Sequence, residues 1–322
     1  MNPRDADIAA AGFGIAVGHA TDAIGATGCT VVRGVNAPLR ASGTVVGRAT
    51  GTREWALLDP WASADRIDAV LLTGGSAYGL DAAAGVMQWM EERGRGFEIG
   101  GGVVPIVPAA VVFDLGPLGA FRARPSPSMA YDACERATTH GWEEGSVGAG
   151  TGCTVGKLYG PRLAMKGGLG VGVAGSAGGL MACAIAAVNA VGHVRDFDGS
   201  IIAGPRDPGG GIADSEAVAA ARGFFVSPEA NTTISLVALN QPFPKVELNR
   251  IARAAAVAHA RRIGPAGTSY DGDVVFAVSP AGAPQGADAV RAEIIATQAL
   301  EEAIVRAVRT AKGRDGIPGL AG

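Results

Sequence analysis

Apolar positions in this chain fall into short runs and a few helical stripes. Residues 68–73 (DAVLLT) form an apolar run closed by Gly74 and Gly75, the pattern of a buried strand. Residues 29–33, 44–48, 183–189, 233–239 and 273–279 also predict strands. Residues 77–92 repeat Leu80, Ala83, Ala84, Val86, Met87 and Met90 at helical spacing, with Ser76 placed as an N-cap. Residues 131–140 predict a second helix. Residues 244–262 predict a long one, with Pro244 at its start, Glu247 in its first turn and a core stripe of Leu248, Ile251, Ala252 and Ala255. His259 sits on its apolar side and reads as a packed core histidine. Residues 287–310 predict a last helix, and 312–322 a frayed, flexible tail. Residues 145–179 hold thirteen glycines, too many for a helix interior, and read as loop plus glycine-broken strands. Strands and helices mix without regular βαβ alternation, which points to a layered α/β or α+β architecture.

Composition narrows the class. A hydrophobic fraction of 48% with mean hydropathy of +0.24 argues for a packed core and against disorder. Charged residues are 18% and the net charge is −3, so there is no basic footprint for nucleic acid or an anionic membrane. No apolar stretch is long enough and free enough of glycine to read as a membrane span. Residues 1–10 carry Arg4, Asp5 and Asp7 and do not read as a secretory signal. Cys29, Cys134, Cys153 and Cys183 lie far apart, as buried free thiols of a cytoplasmic protein would. No repeat or low-complexity linker divides the 322 residues, so a single domain over 1–322 is expected.

Most catalytic and cofactor motifs fail on inspection. A phosphate loop requires Ser or Thr after Gly156-Lys157, where Leu158 stands. Gly170-x-Gly172-x-x-Gly175 fits a dinucleotide fingerprint, but Gly178 and Gly179 occupy the place of the following helix, so packing glycines are the better reading. Ser76 lacks the Gly-x-Ser-x-Gly context of a nucleophile elbow. The four histidines show no zinc spacing. Asp196 and Asp198 before Gly199 read as a hairpin turn. There remain Asn231-Thr232-Thr233-Ile234-Ser235 and Tyr270-Asp271-Gly272-Asp273, each an ordinary turn by itself.

Taken with residues 28–32, 72–80, 111–114, 148–157, 188–192 and 246–249, these two segments form an ordered series of blocks. Through them the chain resembles the DmpA-like family of self-cleaving N-terminal-nucleophile aminopeptidases and amidases. Within that family it looks closest to the branch that hydrolyses 6-aminohexanoate oligomers. The resemblance implies a layered α-β-β-α sandwich of the kind shared with ornithine acetyltransferase. It implies cleavage between Asn231 and Thr232, giving fragments 1–231 and 232–322 that stay together. Thr232 would then carry a free α-amine with a reference pKa of about 7.7–8.0, able to act as base for its own hydroxyl.

The remaining roles are those the resemblance implies. Asp271 and Asp273 match a carboxylate pair that holds the Thr232 amine. Lys157 offsets them and positions the threonine. Asn189 donates to the oxyanion. Phe113 lines the substrate site where the family often has a Tyr that donates a second hydrogen bond. Ala230 stands where a Gly is common. In the aminopeptidase branch a Ser and a Glu occupy the carboxylate positions and a Ser is the nucleophile, so Thr232, Asp271 and Asp273 side with the oligomer-hydrolase branch. The expected substrate is a small or oligomeric amide, with no metal and no organic cofactor, and the protein is expected to be a homo-oligomer, a tetramer of two-fragment units. The alternatives are an aminopeptidase/D-esterase or β-peptidyl aminopeptidase of the same family, an ornithine-acetyltransferase-like acyltransferase, and a non-catalytic nucleotide-binding protein.

Overall fold

The computed structural model describes residues 3–116, 118–207, 209–223, 231–284, 286 and 288–322. Two five-stranded sheets lie face to face between helices. The first runs in the order Ile15–Asp22, Thr27–Gly34, Ala69–Thr73, Ala109–Val111, Thr52–Arg53. The second runs Gly168–Gly175, Met181–Asn189, Thr232–Leu239, Val274–Pro280, Leu39–Val45. Both are mixed sheets, and the layering is α-β-β-α, as expected from the sequence.

Side-chain alternation builds the three cores. Along Met181–Asn189, Cys183, Ile185 and Ala187 face the opposite sheet, while Ala182, Ala184, Ala186 and Val188 face helices. Ile234, Leu236 and Ala238 face inward beside Val274, Phe276 and Val278. Because both faces are covered, these strands read as continuous apolar runs rather than alternating ones. The first sheet turns Cys29, Val31, Ala69 and Leu71 outward onto Ala83–Glu91 and Pro127–Glu135.

Residues 168–175, expected as loop and broken strand, form one full strand. Its glycines pack against the helix Ala289–Arg309. A Cβ on Gly170 would lie 2.1 Å from the Ala303 carbonyl oxygen, and one on Gly172 2.0 Å from that of Ala299. Every second residue of a strand advances about 6.6 Å and every fourth of a helix about 6.0 Å. The Gly168-Gly170-Gly172 row therefore meets the Ala307-Ala303-Ala299 row step for step. That contact accounts for Gly170 and Gly172 of the apparent dinucleotide fingerprint, while a Cβ on Gly175 would meet the Met181 side chain.

One connection positions the site. Thr232–Leu239 and Val274–Pro280 are parallel neighbours. A parallel pair needs a crossover, supplied by the helices Lys245–Ala255 and Val257–Arg262. Both strands therefore begin at the same edge of the sheet, with Thr232 opening one and Asp271-Gly272-Asp273 leading into the other.

Several elements differ from expectation. The strand foreseen at 44–48 is Leu39–Val45, because Val46, Gly47 and Ala49 turn their N–H groups to the carbonyls of Asp271 and Asp273. The helix foreseen at 77–92 opens as a 3-10 turn, Ser76–Ala82, before the α-helix Ala83–Glu91. Ser76 makes no cap hydrogen bond and has φ 51, while Gly75 stands at the cap with φ 82. The helix foreseen at 131–140 is Pro127–Glu135, capped by the Ser126 hydroxyl accepting from Met129 N–H at 3.3 Å. The helix foreseen at 244–262 breaks at Ala256. The last helix is Ala289–Arg309, capped by Asp288; residue 287 lies outside the described residues. The tail is tied down rather than frayed: Lys166 N–H donates to Pro318 O at 2.8 Å, Ala321 N–H to Ala311 O at 3.1 Å, and Ile317 is buried. The four cysteines are buried and unpaired, and Asp196–Gly199 forms the expected turn between His193–Arg195 and Ile201–Ala203. No helix among the described residues is long and apolar enough to cross a membrane.

The strand-on-helix contact leaves no room for a methyl group. Gly170→Ala should lower unfolding stability by about 1–3 kcal/mol through overpacking. Urea denaturation checks this; an unchanged midpoint would contradict it.

Candidate active site

Asn189 ends the strand Met181–Asn189 and stands directly opposite Thr232 in antiparallel register. Asn231, one residue earlier, bridges to Asp271. All three are buried, as are Lys157 and Asp273. The fold thus gathers residues from four distant stretches around one peptide bond.

That bond joins Asn231 to Thr232. The Thr232 hydroxyl donates to the Asn231 carbonyl oxygen at 2.5 Å. The same oxygen accepts the Gly272 N–H at 2.9 Å. A Cβ on Gly272 would sit 2.7 Å from Thr232 Oγ and 2.8 Å from the Ala49 carbonyl oxygen, so only glycine fits between them. The Asn231 side-chain amide is buried and makes no hydrogen bond among the described residues.

The surrounding groups are linked. Asp273 Oδ1 accepts the Thr233 N–H at 2.6 Å and Oδ2 that of Gly267 at 3.3 Å. Asp271 Oδ2 accepts the Thr268 N–H at 2.7 Å. The Lys157 ammonium donates to the carbonyls of Asn189 at 2.6 Å and Ala190 at 3.3 Å. Asn189 Oδ1 accepts the Thr154 N–H at 3.0 Å, and its Nδ2 donates to Phe113 O at 3.0 Å. Phe113 therefore meets the site through its backbone carbonyl. Ala230 lies outside the described residues.

Burial dominates the electrostatics. It pushes Asp273 up to about 6, offset by the Thr233 and Gly267 N–H groups and by Lys157. It pushes Asp271 up to about 6 as well, assisted by repulsion from Asp273. It pulls Lys157 down to about 7, against the pull of Cys153, Asp271 and Asp273. Three groups that would titrate far from neutrality in water are thus drawn toward it, the condition for exchanging protons at working pH.

Two contributors escape the sequence reading. One is the Gly272 N–H, since a backbone donor leaves no residue-type signal. The other is His259, which follows Ala252 and Ala255 on the buried stripe and lies 3.9 Å from Asp273 Oδ2. Its signal was a histidine where the stripe calls for an apolar residue. A third cluster, His193, Asp214 and Glu216, has ligand atoms within 4.8 Å of one another. Its groups are otherwise engaged: His193 Nδ1 accepts Ser215 N–H, Asp214 caps the helix Ser215–Arg222, and Glu216 pairs with Arg195 at 2.6 Å.

Comparison with known proteins bears on this geometry. A family model described as Peptidase family S58 matches residues 11–320. An uncharacterized aminopeptidase of Mycobacterium bovis is 40% identical over 83% of this chain and 79% of its own length. A 6-aminohexanoate-oligomer endohydrolase of a Kocuria species is 30% identical over 83% of this chain and 73% of its own. The crystal structure of the L-aminopeptidase D-Ala-esterase/amidase from Ochrobactrum anthropi superposes with a TM-score of 0.68 at 19% identity, covering 94% of this chain and 86% of that one. It shares the fold, described there as a variant of the Ntn hydrolase fold. The expected priority of the oligomer-hydrolase branch is corrected by these identities, in which an aminopeptidase stands ahead of the oligomer hydrolase.

The raised carboxyl groups carry a stability signature. An acid with pKa 3.8 in the unfolded chain and about 6 in the folded one binds its proton more tightly when folded. Its contribution is complete below the unfolded value and is lost as pH rises through the folded one. Lys157, lowered from 10.5 to about 7, has the mirrored dependence, complete above 10.5 and lost as pH falls through about 7. Asp273→Asn should gain stability over the wild type between about pH 4 and about pH 7, with the gap closing at the acid end. Denaturant titrations across that range check this; a gap that widens on acidification would contradict it.

Proposed function

The chain belongs to peptidase family S58, and on that premise we propose that it is an amide hydrolase that frees its own nucleophile, Thr232, by cutting the Asn231–Thr232 bond. The observation that carries this reading is the Thr232 hydroxyl held 2.5 Å from the oxygen of the preceding carbonyl, which Gly272 N–H polarises from the other side. Attack of Oγ on the Asn231 carbonyl carbon shifts the acyl group from nitrogen to oxygen. The Gly272 N–H stabilises the oxyanion that forms. Water then hydrolyses the ester, leaving a carboxylate on Asn231 and an amine on Thr232.

In the cleaved protein the Thr232 α-amine takes the proton from Oγ as the hydroxyl attacks substrate, then returns it to the leaving amine. Asp273, whose carboxylate accepts the next residue's N–H, and Asp271, paired with Asn231 through its backbone, would supply negative charge to that amine. A nearby carboxylate favours the ammonium form, and Lys157 opposes this, so the balance keeps the amine able to exchange its proton near neutrality. Asn189, whose backbone faces Thr232 across the strand pair and whose amide Nδ2 donates one bond to Phe113 O, would give its second N–H to the substrate oxyanion.

The substrate class we favour is a short peptide, or an amide or ester analogue, with a free amine beside the scissile carbonyl. The aminopeptidase relatives support it, and an acidic site suits a cationic substrate end. The second reading, endohydrolysis of 6-aminohexanoate oligomers, is favoured by the Thr232, Asp271 and Asp273 combination and by relatives at 30% identity.

Intact-mass measurement under denaturing conditions tests the proposal. Wild type should give two species, residues 1–231 and 232–322. Thr232→Ala should give one uncut, inactive chain, and Gly272→Ala should slow cutting at least about tenfold by crowding Oγ and displacing the N–H donor. Processing of Thr232→Ala as in wild type would contradict the nucleophile. Release of amino acid from aminoacyl p-nitroanilides, with slower cutting of 6-aminohexanoate trimer, would support the favoured substrate class; the reverse order would select the second.

A further inference from the structure

His259 is a buried titratable group that the chemistry above does not use. It lies on the short helix Val257–Arg262 and is fully buried. Its Nε2 is 2.9 Å from the Ser235 hydroxyl. Its Nδ1 makes no hydrogen bond among the described residues and lies 3.9 Å from Asp273 Oδ2. Ser235, His259 and Asp273 thus stand in line, the three residue types of a hydrolytic triad. Ser235, however, is fully buried in the body of a central strand, so substrate does not reach its hydroxyl. The line serves its other end, the carboxylate.

Asp273 is unevenly supported. Oδ1 has a short bond from Thr233 N–H, while among the described residues Oδ2 accepts only the 3.3 Å contact from Gly267 N–H. An ionised carboxylate only accepts hydrogen bonds, whereas a hydroxyl donates or accepts. The neutral imidazole that suits both neighbours carries its proton on Nδ1 and accepts the Ser235 hydroxyl at Nε2. The other tautomer sets a ring lone pair against the carboxylate.

We propose that His259 is a positioning residue for Asp273, its neutral ring turning the Nδ1–H dipole toward Oδ2 across 3.9 Å, beyond direct hydrogen-bond length, so that Asp273 stays ionised and aimed at the Thr232 amine. This rests on the nucleophile reading above. Burial holds the ring uncharged, lowering His259 to about 4. Asp271 and Lys157 are the other charged groups of the cluster. On elements packed against the helix, Glu301 pairs with Arg261 and Arg262, and His193 and Arg195 lie with Asp214 and Glu216. Among the described residues only Asp273 comes within ion-pair distance of the ring.

The test uses two substitutions that divide the ring's contacts. His259→Gln places an amide near the Nε2 position and forfeits the donor at Nδ1. His259→Asn places an amide N–H near the Nδ1 position. Losing that favourable dipole raises the pKa of Asp273 from about 6, so His259→Gln should shift the acid limb of the kcat profile upward by about one pH unit and slow turnover about fivefold at pH 6 with KM little changed. His259→Asn should recover most of both losses. Nitrogen-15 NMR of histidine-labelled, full-length Thr232→Ala protein gives an independent reading, since it needs no cleavage: His259 should be neutral at pH 6 with its proton on Nδ1. Failure of wild type to cleave would show in its mass and count against the nucleophile alone. A ring proton on Nε2, a charged ring at pH 6, or equal losses in both variants with the acid limb unmoved would overturn the role of His259.

Discussion

The site depends on the parallel pairing of Thr232–Leu239 with Val274–Pro280. Parallel strands start at the same end, so the residues that open one and lead into the other are neighbours in space while about 40 residues apart in sequence. The antiparallel strand on the other side ends there too and sets Asn189 against Thr232. Register then does the rest. A slip of one residue would turn Thr232 to the opposite face and carry Ile234 out of the core between the sheets. The apolar packing that fixes the register therefore also fixes the chemistry.

Burial sets the electrical character of the same point. Two carboxyl groups and an amine are taken from water together, and each is drawn toward neutrality. Isolated charges at such depth would be expensive. Backbone N–H groups on the acids and backbone carbonyls on Lys157 supply hydrogen bonds that offset the loss of solvent. The cluster costs stability near neutral pH, because its charged forms are buried there.

Much of the fold was legible because its strands are covered on both faces and so read as unbroken apolar runs. The glycine-rich stretch was misread in part: 168–175 is a regular strand whose glycines answer a helix too distant in sequence for local pattern to reveal. Ser76 looked like a cap by residue type, but its left-handed backbone and lack of a cap bond are matters of geometry. The tail looks frayed because its glycines lack apolar content, yet its order comes from a backbone bond to the strand Met165–Lys166 and from bonds within residues 311–322. At the site, side chains with chemical character stood out once Asn231-Thr232 and Asp271-Gly272-Asp273 were considered together. Gly272 N–H and the contact of His259 with Asp273 arise only on folding. The branch assignment leaned on three site residues, whereas identity over most of the chain favours aminopeptidases.

On the proposed mechanism, Thr232 itself carries the acyl group. The most direct measurement is top-down mass spectrometry of protein quenched during turnover of a slowly deacylating ester substrate. An added acyl mass is expected on the fragment that begins at Thr232, localised to that first residue and lost on further incubation. An acyl group on any other residue, or full turnover by protein whose Asn231–Thr232 bond is intact, would contradict it.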